Sequence, residues 1–154
     1  MAEEATELPL LLAMAFRVLS TRLRERLADE GHDGLRPAHG FALAYLRRRG
    51  GSTAGELARL VGMTKQASAQ LLAELESGGY VERRPNPDDR RSQIVMPTER
   101  GAGVERLFSA LWREVEDDWA RQVGAETLDH TRQALQALVR GSVPQGPAPV
   151  RPDW

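Results

Sequence analysis

Pro85-Asn86-Pro87-Asp88-Asp89-Arg90-Arg91-Ser92, running on into Gln93-Ile94-Val95-Met96-Pro97-Thr98-Glu99-Arg100-Gly101, is the stretch whose reading decides the fold. Pro85 and Pro87 cannot donate to a strand ladder, so they belong at a hairpin tip or on an edge. Ile94-Val95-Met96 is β-prone and supplies a returning strand. On the upstream side Tyr80-Val81-Glu82-Arg83-Arg84 begins with the apolar–polar alternation of a half-buried strand, directly after a helical pattern closed by Gly78-Gly79. The order is helix, strand, charged tip, strand.

Moving upstream, Thr64 caps a helix that runs through Ser77, with Ala67, Leu71, Leu72 and Leu75 as its expected buried side. Before it, Thr53-Ala54-Gly55-Glu56 forms a capping box, in which the Thr53 and Glu56 side chains satisfy each other's orphan backbone N–H groups. A short helix follows with Leu57, Leu60 and Val61 facing inward, and Gly62 breaks it. Two helices parted by a few residues around a glycine make a helix-turn-helix, and the hairpin behind them makes it a winged one. The outer face of the Thr64–Ser77 helix is expected to carry Thr64, Lys65, Gln66, Ser68, Ala69 and Gln70. Gln pairs bidentately with adenine, Lys with guanine or phosphate, and small residues let the backbone approach a groove floor. Glu74 and Glu76 lie in the half that leaves the groove. A merely solvated helix face carries the same residue types, and the adjacent wing decides between the two readings. Arg83, Arg84, Arg90 and Arg91 flank the tip, with Ser92 beside them, where an arginine can enter the negative potential of a narrow minor groove. Asp89, two residues before Arg91, is expected to pair with its guanidinium and hold it in one direction.

The flanks are helical. Leu8, Leu11, Leu12, Ala15, Val18, Leu19, Leu23 and Leu27 recur at three- and four-residue steps in a first helix, with Thr6 as its expected cap, Pro9 in its first turn, and Gly31 and Gly34 at its end. Pro37 opens a second helix with Phe41, Leu43, Tyr45 and Leu46 as expected buried contacts, stopped at Gly50-Gly51. After the wing, Thr98 caps a long helix with Val104, Leu107, Phe108, Leu111, Trp112, Val115 and Trp119 on one stripe. A break near Gly124 leads to a last helix bearing Leu128, Leu135, Leu138 and Val139. These terminal helices hold more apolar surface than a lobe of this size can cover, and a two-fold homodimer is the economical way to bury it. The expected organisation is a single domain, mainly α with a small two- to three-stranded β wing. Residues 6–36 and 99–140 supply dimerisation helices and 37–98 the DNA-binding lobe. Residues 141–154, rich in Pro and Gly, form an extended or disordered tail.

Composition is compatible with this. The 154 residues carry 21 Lys/Arg and 22 Asp/Glu, a net charge of −1. From Arg47 to Arg91 nine basic residues stand against six acidic ones, a net +3, which leaves −4 for the rest. A modestly basic middle between acidic flanks suits a DNA face. No apolar run approaches the roughly 18–20 residues that span a bilayer. Glu3, Glu4 and Glu7 precede the first apolar cluster, unlike a signal peptide, so cytoplasm is the expected compartment. There is no cysteine, hence no disulfide, thiolate metal site or thiol switch.

The residues resemble a known family. Asp89-Arg90-Arg91-Ser92 through Val95, then Thr98 and Gly101, is similar to the wing signature of the MarR family of bacterial transcription regulators, and the order of elements agrees over about residues 8–140. The resemblance implies an obligate homodimer on pseudo-palindromic double-stranded DNA. In it Thr64 to Gln70 read the major groove, and Arg91 reaches the minor groove with Asp89 steering it. It also implies a small lipophilic or phenolic effector that enters a crevice between the two lobes and releases the DNA. His39 and Trp112 are the candidate ligand-binding residues, with core or interface packing as the competing reading for both. The family's peroxide-sensing branch needs a cysteine that this chain lacks. Its metal-sensing branch needs a ligand cluster, whereas His32, His39 and His130 are scattered, so neither metal nor cofactor is expected. Pro97 stands where the family commonly has an aliphatic residue and is expected to shorten the second wing strand.

A winged-helix protein-interaction module without DNA binding is the alternative function. It calls for an acidic or apolar outer helix face and a neutral wing, neither of which is present. Enzymatic chemistry finds no H-E-x-x-H, G-x-S-x-G or G-x-x-x-x-G-K-[ST] pattern, and Gly101-Ala102-Gly103 reads as the opening of a helix.

Overall fold

The computed structural model describes residues 7–142. Six helices and one hairpin follow in the order α1 (Leu8–Asp29), α2 (Pro37–Arg49), α3 (Ala54–Val61), α4 (Lys65–Ser77), β1 (Val81–Pro85), β2 (Gln93–Pro97), α5 (Glu99–Val123) and α6 (Ala125–Ser142). The fold is mainly α with a winged helix-turn-helix at its centre. Among the described residues no helix is long and apolar enough to cross a membrane.

Local chemistry sets most boundaries. The Thr53 hydroxyl accepts from the Glu56 N–H at 3.2 Å, while the Glu56 carboxylate accepts from the Thr53 N–H at 2.9 Å, closing the capping box of α3. The backbone bond from Thr53, aided by the Ser52 and Thr53 hydroxyls, holds the Glu56 carboxyl below its ordinary pKa. Gly62 ends α3 in the left-handed region at φ +67°, which turns the chain sharply into α4. Thr64 and Thr98 cap α4 and α5 by accepting from the Ala67 and Gly101 N–H groups, both at 3.1 Å. At α1 the expected cap Thr6 lies outside the described residues. Glu7 occupies the cap position without a side-chain hydrogen bond, and Pro9 sits in the first turn. The helix α6 continues through Ser142, two residues beyond the expected end at 140, and the rest of the expected tail lies outside the described residues.

β1 and β2 pair antiparallel, Val81 opposite Pro97 and Pro85 opposite Gln93. Pro97 therefore does not shorten β2. It closes the ladder at its end, where one missing donor is tolerated. The third strand is reduced to a single bridge, Ser52 to Val95, with both N–H···O bonds made at 3.1 and 2.8 Å.

One core joins all the layers. Leu23 and Leu27 of α1 meet Leu43 and Leu46 of α2, Leu57 of α3, Leu71, Leu72 and Leu75 of α4, Val95 of β2, and Val104, Phe108 and Leu111 of α5. Phe41, expected in the core, is 37% exposed. Its ring stacks on Trp112 with centroids 5.8 Å apart and planes 4° from parallel. The outer ends of the molecule are apolar but uncovered. Leu8, Leu10, Leu11, Leu12, Met14 and Val18 of α1 are exposed, as are Val123, Leu138 and Val139 near α6. Between α1, α5 and α6 lies an open groove of about 870 Å³ with Leu12, Trp119, Leu128 and Leu135 among its walls.

Candidate nucleic-acid interface

The helix-turn-helix presents α4 with its N-terminal half outward. Thr64, Lys65, Gln66, Ala69 and Gln70 are all exposed, as the sequence leads one to expect. Ser68 is not. Its side chain is fully buried, and its hydroxyl donates to the Ala54 carbonyl of α3 at 3.1 Å. Ser68 therefore fastens the two helices together and cannot face a groove. Its phase carries the signal, because Ser68, Leu71, Leu72 and Leu75 form an i, i+3, i+4, i+7 stripe.

The wing tip is tied by its own polar groups. The Asn86 amide donates to the Ser92 hydroxyl at 2.8 Å, the Asp88 N–H to the Asn86 side chain at 3.0 Å, and the Ser92 N–H to the Asp89 carbonyl at 3.0 Å. Asp89 does not hold the Arg91 guanidinium. Its carboxylate instead accepts from the Arg91 backbone N–H at 2.9 Å, an Asx turn that shapes the tip.

The four wing arginines fall into two pairs. Arg83 donates to Glu76 at the end of α4 at 3.0 Å, and Arg84 is bound to Glu82. Among the described residues, the guanidinium groups of Arg90 and Arg91 have no carboxylate partner. Both line an open concavity of about 790 Å³ between the wing and the start of α3, shared with Thr53, Gly55 and Gln93. Two unpaired cations on a rigid tip beside a helix face rich in amides can engage a phosphate-lined duplex.

The two candidate ligand residues part company. Trp112 lines a groove of about 690 Å³ between α2 and α5, with Phe41, Tyr45, Arg47 and Phe108. His39 is buried in the core, and both ring nitrogens are occupied. Nδ1 accepts from the Arg36 N–H at 2.9 Å, and Nε2 lies 2.8 Å from the Glu74 carboxylate. A ring with both nitrogens engaged has none for a ligand, so His39 is a structural link between α2 and α4. Burial holds its pKa below the ordinary 6.5, the bond to Glu74 opposing the shift without reversing it. Partial burial works against ionised Glu74, but the bonds from His39 and Arg36 outweigh it and keep its carboxyl below the usual range.

Sequence reasoning passed over other polar groups that the fold brings together. Glu105 is buried on α5, where it binds Arg47 at 2.8 Å and accepts from the Ser109 hydroxyl at 3.3 Å. The buried Ser20 hydroxyl on α1 has no hydrogen-bond partner among the described residues. Arg47–Glu105 is a contact across 58 positions, for which local sequence holds no signal.

The sequence model of the MarR family matches residues 33–92, from just ahead of α2 to the wing tip. The HTH-type transcriptional regulator PetP of Rhodobacter capsulatus is 33% identical over 115 residues, covering 75% of this chain and 68% of PetP. The chain belongs to the MarR family of transcription regulators. A crystal structure of MarR superposes on this family member with a TM-score of 0.77 at 25% identity, covering 92% of this chain and 95% of the other. A mutant MarR from E. coli complexed with operator DNA shares the fold at a TM-score of 0.74 and 24% identity, over 86% of this chain and 93% of that one.

Proposed function

We propose that this MarR-family chain is a cytoplasmic, homodimeric regulator that binds a pseudo-palindromic DNA operator, represses from it, and lets go when a small lipophilic or phenolic effector binds. One juxtaposition carries the DNA reading: an exposed α4 face bearing Lys65, Gln66, Ala69 and Gln70 stands beside a wing whose Arg90 and Arg91 have no carboxylate partner among the described residues. In this account the amides read base edges from the major groove and the Ala69 methyl meets a thymine methyl. Lys65, Arg90 and Arg91 bind phosphates or the adjacent minor groove and supply most of the affinity. Arg83 and Arg84, already bound to Glu76 and Glu82, contribute less.

The dimer is supported by the uncovered leucines of α1 and the open groove against α5 and α6. A second copy buries them and sets two α4 helices on half-sites about one helical turn apart. For the effector, the cavity of about 560 Å³ between α1 and α2 has apolar walls at Ala13, Phe16 and Pro37, with Arg17 and Ser20 at its edge. The cavity is also lined by Arg24 and Arg36, and its arginines suit a phenolate or an aromatic carboxylate.

Selection from a random-sequence duplex pool tests the reading. Enrichment of an inverted repeat with half-sites roughly 10 base pairs apart is expected, with release on adding members of a panel of phenols and aromatic carboxylates. Folded protein that enriches no sequence refutes the DNA reading. Enrichment that survives every compound removes the effector from it.

A further inference from the structure

Glu74 ties the exposed face of α4 to the buried ring of His39. Its Oε2 receives two donors, Arg36 Nη2 at 2.6 Å and His39 Nε2 at 2.8 Å. The His39 tautomer follows from its other bond. A backbone N–H can only donate, so Nδ1, which faces the Arg36 N–H, is the acceptor, and the proton sits on Nε2 toward Glu74. Both bonds at Oε2 are thus oriented by groups that cannot reverse roles. The remaining oxygen, Oε1, lies 3.4 Å from Nε2 of Gln70, one turn back along the exposed face. A carboxylate accepts only, so it selects the orientation of the Gln70 amide in which NH₂ points at Glu74.

We propose that Glu74 is a positioning residue for base recognition: held from the core by His39 and Arg36, it fixes the donor–acceptor order of the Gln70 amide that meets the DNA. This rests on the reading of α4 as the groove-entering helix. An amide has two N–H groups. With one spent on Glu74, the other N–H and the carbonyl remain, which is the pair that adenine's N7 and N6 require. A freely turning glutamine presents both orders and discriminates less.

The substitution Glu74→Gln tests this because it keeps the anchor and inverts the signal. Facing two donors, the new side chain must turn its carbonyl toward Arg36 and His39, which places its NH₂ opposite Gln70. The Gln70 amide then has to flip and offer its carbonyl there, reversing the order it shows to DNA. Anisotropy titrations of wild type, Glu74→Gln, Gln70→Ala and the double variant, on a selected operator and on every single-base-pair change within it, give the readout. Gln70→Ala is expected to locate one base pair per half-site at which discrimination drops by about tenfold. Glu74→Gln should lose discrimination at that same pair, and the double variant should lose no more than either single one. His39→Gln, which can retain an N–H donor toward Glu74, should keep wild-type preference. Uniform weakening by Glu74→Gln at every position, or losses that multiply in the double variant, overturns the proposal while leaving α4 as the reading helix. A wild type with no preference among the duplexes removes the reading itself, and this inference with it.

Discussion

Gly101→Ala isolates the contact that locks the wing to α5. Gly101 is buried in the first turn of α5, and a Cβ built there falls 1.9 Å from the Tyr80 carbonyl oxygen and 2.9 Å from its carbon. That oxygen cannot step aside freely, because it accepts the Thr98 N–H at 3.0 Å, while the Thr98 hydroxyl donates to the neighbouring Gly79 carbonyl at 2.6 Å. Backbone must move by more than an ångström where wing and helix meet. Overpacking costs roughly 1–3 kcal/mol, and losing the Thr98–Tyr80 bond adds about 1 kcal/mol. The better helix propensity of alanine returns about 1 kcal/mol. The net loss is roughly 1–3 kcal/mol, which for a chain of this size is a Tm drop of about 2–12 °C. Gly103→Ala, two residues on in the same helix, is the internal control. Its added Cβ comes no nearer than 3.8 Å to the end of the Arg106 side chain, so the same exchange should stabilise by about 0.5–1 kcal/mol. Thermal unfolding followed by far-UV circular dichroism, at one fixed protein concentration, compares the three proteins. A Gly101→Ala melt that coincides with wild type would refute the reasoning, since the close approach would then exact no cost.

Three further outcomes are expected. Arg90→Ala and Arg91→Ala should each weaken operator binding and lower the salt slope by about 1, whereas Arg84→Ala, whose guanidinium is engaged by Glu82, should change the slope less; equal slopes for all three variants contradict this. Ser68→Ala should cost about 1 kcal/mol through the lost bond to the Ala54 carbonyl while leaving base preference intact, as urea unfolding and the selected operator together would show. The lowered pKa of His39 means that the unfolded chain takes up that proton first, so its contribution to stability is whole above pH 6.5 and is lost as the pH falls through the lower folded-state value. Melts between pH 7.5 and 5 should therefore decline more steeply for wild type than for His39→Gln, and parallel curves would remove His39 from the pH dependence.

The features legible in the sequence were those with local causes. Thr53 and Glu56 announce a capping box three residues apart, Gly62 a left-handed stop, and Thr64 and Thr98 helix caps, so the helix-turn-helix and the start of α5 are placed by sequence alone. Ser68 is buried and not on the outer face because its helical phase, and not its residue type, sets its side. Hydroxyl chemistry suggested a groove contact, while three- and four-residue steps back from Leu71 and Leu72 point to the buried stripe. His39 fits the same rule, lying on the stripe His39, Ala42, Leu43, Leu46, whereas Phe41 lies off it and is correspondingly exposed. Asp89 binds the Arg91 backbone N–H and not the expected guanidinium, because a spacing of two residues cannot tell one donor from the other. The division of the wing arginines into two bound and two unpaired depends partly on where the end of α4 lies against β1, and Glu74 gains its meaning only when α2 is packed beside it. Those are tertiary facts with no local signature.

The most direct test of DNA recognition is fluorescence anisotropy of the purified protein on duplexes tiled across its own promoter, beside a shuffled control, over a salt series. Binding to one palindromic tile roughly a thousandfold tighter than to the control is the predicted result. Weak binding, equal on every tile and on the selected repeat and abolished by salt, would contradict it.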